Sequence, residues 1–104
     1  MKIEKESLQA PGAEPLEAAV LVARVLPEAV IVMAETLLQG AKDHPPGDWR
    51  AKGVEGNVLH AADHLDTAER VDRALWKEDH LAHALVRTAM AVQLREEGRG
   101  DTTD

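Results

Sequence analysis

The chain has no cysteine, no phenylalanine and no tyrosine, and tryptophan occurs only as Trp49 and Trp76. Without cysteine there can be no disulfide and no thiolate metal site, and nothing to mark a redox compartment. Without Phe or Tyr the interior must be aliphatic. Ala, Val and Leu are plentiful while β-branched runs are few, a composition suited to helices packed closely across small side chains. No apolar run approaches the roughly 20 residues of a membrane span, and the N-terminus has no signal-peptide apolar region. A basic excess is also missing. The formal charge is −7 and the pI about 5.1, which argues against a nucleic-acid backbone as partner, because counterion release needs a basic surface. No Walker loop, Rossmann fingerprint or Ser–His–Asp arrangement is present. The expectation is a cytoplasmic protein with neither membrane nor nucleic acid as partner.

What the 104 residues do contain is helical periodicity, in a single domain expected over residues 13–97. Met1–Gly12 and Gly98–Asp104 read as a flexible N-terminal tail and a disordered acidic C-terminal one. A short helix is expected over Ala13–Val25, with Pro15 early and Glu14 and Glu17 in its first turn. Pro27 then starts a second, strongly apolar helix to Gln39. Gly40–Gly56 reads as a long connection turning at Pro45-Pro46-Gly47 and carrying Lys42, His44, Trp49, Arg50 and Lys52. Asn57 is a reasonable N-cap for a helix over Val58–Lys77. Glu78–Arg95 forms the last, with apolar residues so far round that it should be central or lie against a second subunit. The fold class is therefore all-α: a bundle of three long helices plus a shorter N-terminal one, oligomeric as a homo-oligomer.

Ionisable groups break these apolar faces in an ordered way. His80, His83 and Arg87 form one stripe on the last helix at i, i+3, i+7. His64 and Asp72 fall inside the apolar arc of the preceding helix, where a carboxylate is costly unless paired or metal-bound. They lie two turns apart, able to face that stripe. Asp72 with Arg87 as a register-fixing ion pair is the alternative. His60 and His64 stand one turn apart in HAADH, which has the outline of an inverted zinc-protease motif with Asp63 for its glutamate. Glu78 and Asp79 suit a helix start, and beside His80 and His83 they could also hold a divalent cation through oxygens and an imidazole. Trp49 is either a lid on the bundle's end or a platform for a base, with Lys42 and Arg50 placed to meet phosphates. An alternative reading makes the histidines hydrogen-bonded core or interface residues.

The order of these pieces carries a resemblance. Gly40-Ala41-Lys42, then Asp48-Trp49-Arg50, then a helix bearing His64, then an acidic pair before His80-Leu81-Ala82-His83-Ala84, resembles the phage-associated dATP/dGTP diphosphohydrolase N-terminal family. Its members carry G-A-x-K-Y, N-W, R-H-L and H-L-A-H-A in that order, and the match spans about Leu26–Gln93. The resemblance implies an intracellular, phage-type enzyme that releases pyrophosphate from purine deoxynucleoside triphosphates with Mg2+ or Mn2+, as MazG-like all-α pyrophosphohydrolases do. On that reading His64, His80 and His83 are catalytic. Asp72, Asp79 and His83 hold the metal, while Lys42, Trp49, Arg50 and Arg87 bind the nucleotide. The E-x-x-E clusters by which MazG-like enzymes hold magnesium are absent, so a non-catalytic protein that sequesters a nucleotide or binds a partner protein is the second reading.

Overall fold

The computed structural model describes residues 15–101, with side chains as far as residue 98. Among these residues every regular element is helical. In chain order they are α1 (Pro15–Val25), α2 (Pro27–Asp43), the single turn α3 (Asp48–Ala51), α4 (Gly53–Arg70), a 3-10 turn at Arg73–Leu75, and α5 (His80–Asp101). The protein is all-α, as composition and periodicity imply. The N-terminal tail read at 1–12 lies outside the described residues, as do residues 102–104 of the C-terminal tail read at 98–104. The C-terminal helix passes Gly98, where the tail was expected to begin. Glycine costs a helix only about 1 kcal/mol, and Gly98 does not adopt the left-handed conformation that ends one. No described helix is long and apolar enough to cross a membrane.

The chain falls into two compact units, one through Ile31 and one from Val32. In the first, Leu26 alone separates α1 from α2. Its amide donates to Val22 O at 2.9 Å and its carbonyl accepts from Val30 at 3.1 Å, which is how helical bonding continues past Pro27, a residue with no N–H to give. No residue of α1 is buried.

The second unit is organised by α4 packed along α5, with α3 touching both. Its buried apolar residues are Ala61 from α4 and Ala82, Ala84, Val86 and Ala91 from α5. Small side chains at a crossing permit close approach of the two axes. That interior is thin, and many large apolar residues stay exposed, among them Leu59, Leu65, Leu81, Leu85 and Val92.

Further helix boundaries differ from the sequence reading around the expected connection and at the end of α4. The expected long connection is mostly helical. Gly47 and Gly53, both left-handed at φ 77° and 70°, turn the chain sharply at little cost, so α2 reaches Asp43 and α4 starts four residues before Asn57. Asn57 therefore caps nothing. It is fully buried inside α4, its amide group donating to Trp49 O at 2.9 Å and Gly53 O at 2.8 Å, its Oδ1 accepting from Arg87 at 3.0 Å. At the other end α4 stops at Arg70 rather than Lys77. Val71 is extended, and the Asp72 carboxylate accepts the Ala74 amide at 3.0 Å, offering the backbone an alternative to the helix ladder. Asp72 is thereby removed from the apolar arc and is exposed.

Candidate functional site: a histidine cluster beside a pocket

α4 and the start of α5 bring three imidazoles together. His64 comes from the middle of α4, His80 is the first residue of α5, and His83 lies one turn on. The Nδ1 atoms of His64 and His80 are 3.0 Å apart, so one ring donates a proton to the other's lone pair. The His83 ring stacks on His64 at 5.0 Å between centroids and 22° between planes. Trp76 meets His80 edge-on at 5.4 Å and is itself held by its indole N–H, which donates to Val71 O at 3.0 Å. Each imidazole is oriented by a neighbour on a regular element.

The carboxylate beside them is Glu78. Its Oε1 lies 3.6 Å from His64 Nδ1 and 3.7 Å from His80 Nδ1, beyond good hydrogen-bond distance to either. The acids expected there are engaged elsewhere. Asp79 caps α5, its Oδ1 accepting from Ala82 N at 2.9 Å, and Asp72 caps the 3-10 turn. Neither joins the histidines as the metal-ligand set Asp72, Asp79 and His83 requires. One signal for this was present: Asp is strongly preferred at an N-cap, so of two adjacent acids before a helix the aspartate is the one taken by the backbone. His60, the other member of HAADH, is exposed and outside the three-donor cluster.

Burial holds the His64 imidazolium pKa below its usual value, and the neighbouring His83 lowers it further; Glu78 opposes, while His80 and His60 add to the depression. A histidine whose folded pKa lies below its unfolded one binds fewer protons folded than unfolded. Stability therefore rises with pH across that window and falls as pH drops through about 6.5. Chelator-treated protein is expected to show a lower urea midpoint at pH 5.5 than at pH 7.5. His64→Gln flattens that dependence, and a midpoint that rises toward pH 5.5 contradicts the assignment.

His83 also belongs to a pocket of about 240 Å³. Its walls come from the C-terminal half of α2, the Pro45-Pro46-Gly47 turn, α3, and the α5 residues His83, Val86, Arg87 and Met90. Trp49 lines it, half-buried. Arg87 lines it too, and its guanidinium donates to Asn57 Oδ1 rather than to Asp72. Among the described residues Arg87 has no ion pair.

Two expected phosphate-binding cations are elsewhere. Arg50 forms a two-pronged pair with Glu97, at 2.6 Å and 3.2 Å, while its guanidinium lies 4.6 Å over the Trp49 ring. That pairing raises the Arg50 pKa and lowers that of Glu97. Lys42 is exposed and does not line the pocket, although its neighbours Gly40, Ala41 and His44 do. Asn57, which organises Trp49 and Arg87 from beneath, was not foreseen as part of the site.

The second unit thus defines an all-α protein with a nitrogen-rich histidine cluster sharing His83 with a pocket lined by both Arg87 and Asp48. No family model, curated protein or solved structure matches the chain.

Proposed function

We propose that the chain is a nucleotide pyrophosphohydrolase acting on purine deoxynucleoside triphosphates. The observation that carries this reading is Arg87, a half-buried guanidinium on the pocket wall with no carboxylate partner among the described residues. A cation so placed is suited to phosphate oxygens. Trp49 supplies a ring face for a base in the same pocket. The resemblance to the dATP/dGTP diphosphohydrolase family adds support, because three of its motif segments contribute lining residues: Gly40 and Ala41, Asp48 and Trp49, and His83. In the reaction a water oxygen attacks the α-phosphorus, the bond from that phosphorus to the α–β bridging oxygen breaks, and pyrophosphate leaves. His83 accepts the water's proton, His64 stacks behind it, and Arg87 neutralises phosphate charge.

Mg2+ and Mn2+ favour oxygen donors. The expected ligand set does not fit a resident ion of that kind, since Asp72 and Asp79 are engaged by backbone amides and Glu78 stands among imidazoles; among the described residues the one carboxylate lining the pocket is Asp48. That misfit favours the second reading, a protein that sequesters a nucleotide without turning it over. Purified protein assayed with each dNTP, with and without Mg2+ or Mn2+, decides between them. Pyrophosphate release supports the enzyme. No release from protein with a helical circular dichroism spectrum removes the enzyme, and nucleotide binding without a metal requirement then assigns the pocket to sequestration.

The same reading includes a homo-oligomer. Leu81, Leu85 and Val92 make an exposed apolar row on α5 at 58%, 40% and 41% exposure, more than an isolated small bundle usually leaves to water. Sedimentation equilibrium is expected to give a multiple of 11.3 kDa, and Leu85→Glu to lower it. A monomer at micromolar concentration contradicts self-association.

A further inference from the structure

We propose that His64 Nδ1, His80 Nδ1 and Glu78 Oε1 form a mononuclear binding site for a divalent transition ion of the zinc class, independent of the nucleotide reading. The three donor atoms are 3.0, 3.6 and 3.7 Å from one another. Tetrahedral zinc with bonds of about 2.0–2.1 Å to nitrogen and oxygen separates its ligands by about 3.3–3.4 Å, so an ion fits among them with only small side-chain adjustment. As a hydrogen-bond network the group is poor. The two rings share one proton contact, and the carboxylate points at both nitrogens from beyond hydrogen-bond range. An ion among them would bring all three donors to similar separations, the 3.0 Å Nδ1–Nδ1 contact opening slightly as its shared proton leaves.

The donor set selects the metal. Two imidazoles and one carboxylate suit first-row divalent ions such as Zn2+, Co2+, Ni2+ or Fe2+ and are poor for Mg2+, which keeps oxygen ligands and waters. Three protein donors also leave a position for water or an anion, the pattern of a reactive rather than a purely structural zinc site. The supporting contacts are in place: His83 stacks on His64, Trp76 abuts His80, and the Asp79 cap fixes the start of α5 one residue after Glu78. Side-chain exposures of 19%, 17% and 50% for His64, His80 and Glu78 leave the donors reachable by an ion.

Calorimetric titration of chelator-treated full chain with Zn2+ alone, no nucleotide present, tests the site. One ion per chain is expected, with Mg2+ unable to compete at a large excess. Co2+ should give the intense visible absorption of a four-coordinate ion. Glu78→Gln, a half-exposed and isosteric change, should weaken Zn2+ at least 10-fold, and His80→Ala about 100-fold or more. His60→Ala, on the exposed side of α4, should change nothing. Equal Zn2+ affinity in wild type, Glu78→Gln and His80→Ala, or loss only in His60→Ala, overturns the site. Because dNTP binding is measured separately in chelator, failure here leaves the pocket reading standing, and the converse also holds.

Discussion

Asn57→Ala is expected to destabilise the protein by about 3 kcal/mol, which for a chain of this size lowers the melting temperature by roughly 12–24 °C. The size follows from what the side chain does. Asn57 is the most deeply buried polar group described, and each of its hydrogen bonds crosses between elements or ties a helix turn: to Trp49 O before α4, to Gly53 O within it, and from Arg87 on α5. Alanine removes three bonds, one of them charge-assisted, and leaves a guanidinium and two carbonyls facing a small void. Asn57→Asp is instructive beside it. The Arg87 contact gains charge, but a carboxylate then faces the two carbonyls that the amide had satisfied, so this variant is also expected to be less stable than wild type. Thermal unfolding followed by circular dichroism, at one fixed protein concentration so that self-association does not enter, reads both. His60→Ala serves as the surface control within about 0.5 kcal/mol. A change of that small size in Asn57→Ala would mean that Asn57 does not hold α3, α4 and α5 together.

Arg87→Met is expected to weaken dATP binding roughly 10- to 100-fold, the loss of a charge-assisted contact worth about 1.5–3 kcal/mol. The pattern across ligands matters more than the number. Pyrophosphate and triphosphate should lose affinity alongside dATP, whereas deoxyadenosine, which has no phosphate, should be nearly unaffected. Arg87→Lys keeps the charge but not the fork and should recover part of the loss. Because Arg87 also donates to Asn57, some loss of stability accompanies Arg87→Met. Binding is therefore compared at a temperature where both proteins are folded. Equal weakening of nucleoside and nucleotide would show that the substitution deforms the pocket rather than removing an anion contact.

Much of the fold was legible because local chemistry and tertiary packing agree. Pro27 divides α1 from α2, Pro45-Pro46-Gly47 turns the chain, and α4 packs along α5 through Ala61, Ala82, Ala84, Val86 and Ala91, while the larger residues of the expected arcs, such as Val58, Leu65, Leu81 and Leu85, stay exposed. The missed boundaries are places where a short polar side chain had two competing roles. Asn57 has the chemistry of a cap, yet it serves better as a buried bridge. Asp72 has helical spacing from His64, yet it turns back onto its own backbone two residues ahead.

The grouping of side chains at the candidate site was legible in part, for related reasons. His64, His80 and His83 meet because an i, i+3 pair at the start of one helix faces a histidine midway along its partner. Trp49 and Arg87 share the pocket because Asn57 draws both toward α4. Glu78 in place of Asp79 turns on which of two neighbouring acids the helix end takes. The Arg50–Glu97 pair joins residues 47 positions apart, and no local pattern announces such a contact. Lys42 was placed by its neighbours in the sequence, and helical geometry sets it on a different face from Gly40 and Ala41.

The most direct test of the pocket is tryptophan fluorescence in a Trp76→Leu background, where Trp49 is the sole emitter, during titration with dATP in the presence of chelator. Saturable quenching at one nucleotide per chain, reversed by excess triphosphate and strongly weakened by Arg87→Met, is the predicted result. An unchanged spectrum up to millimolar dATP, from protein whose circular dichroism is helical, would contradict it.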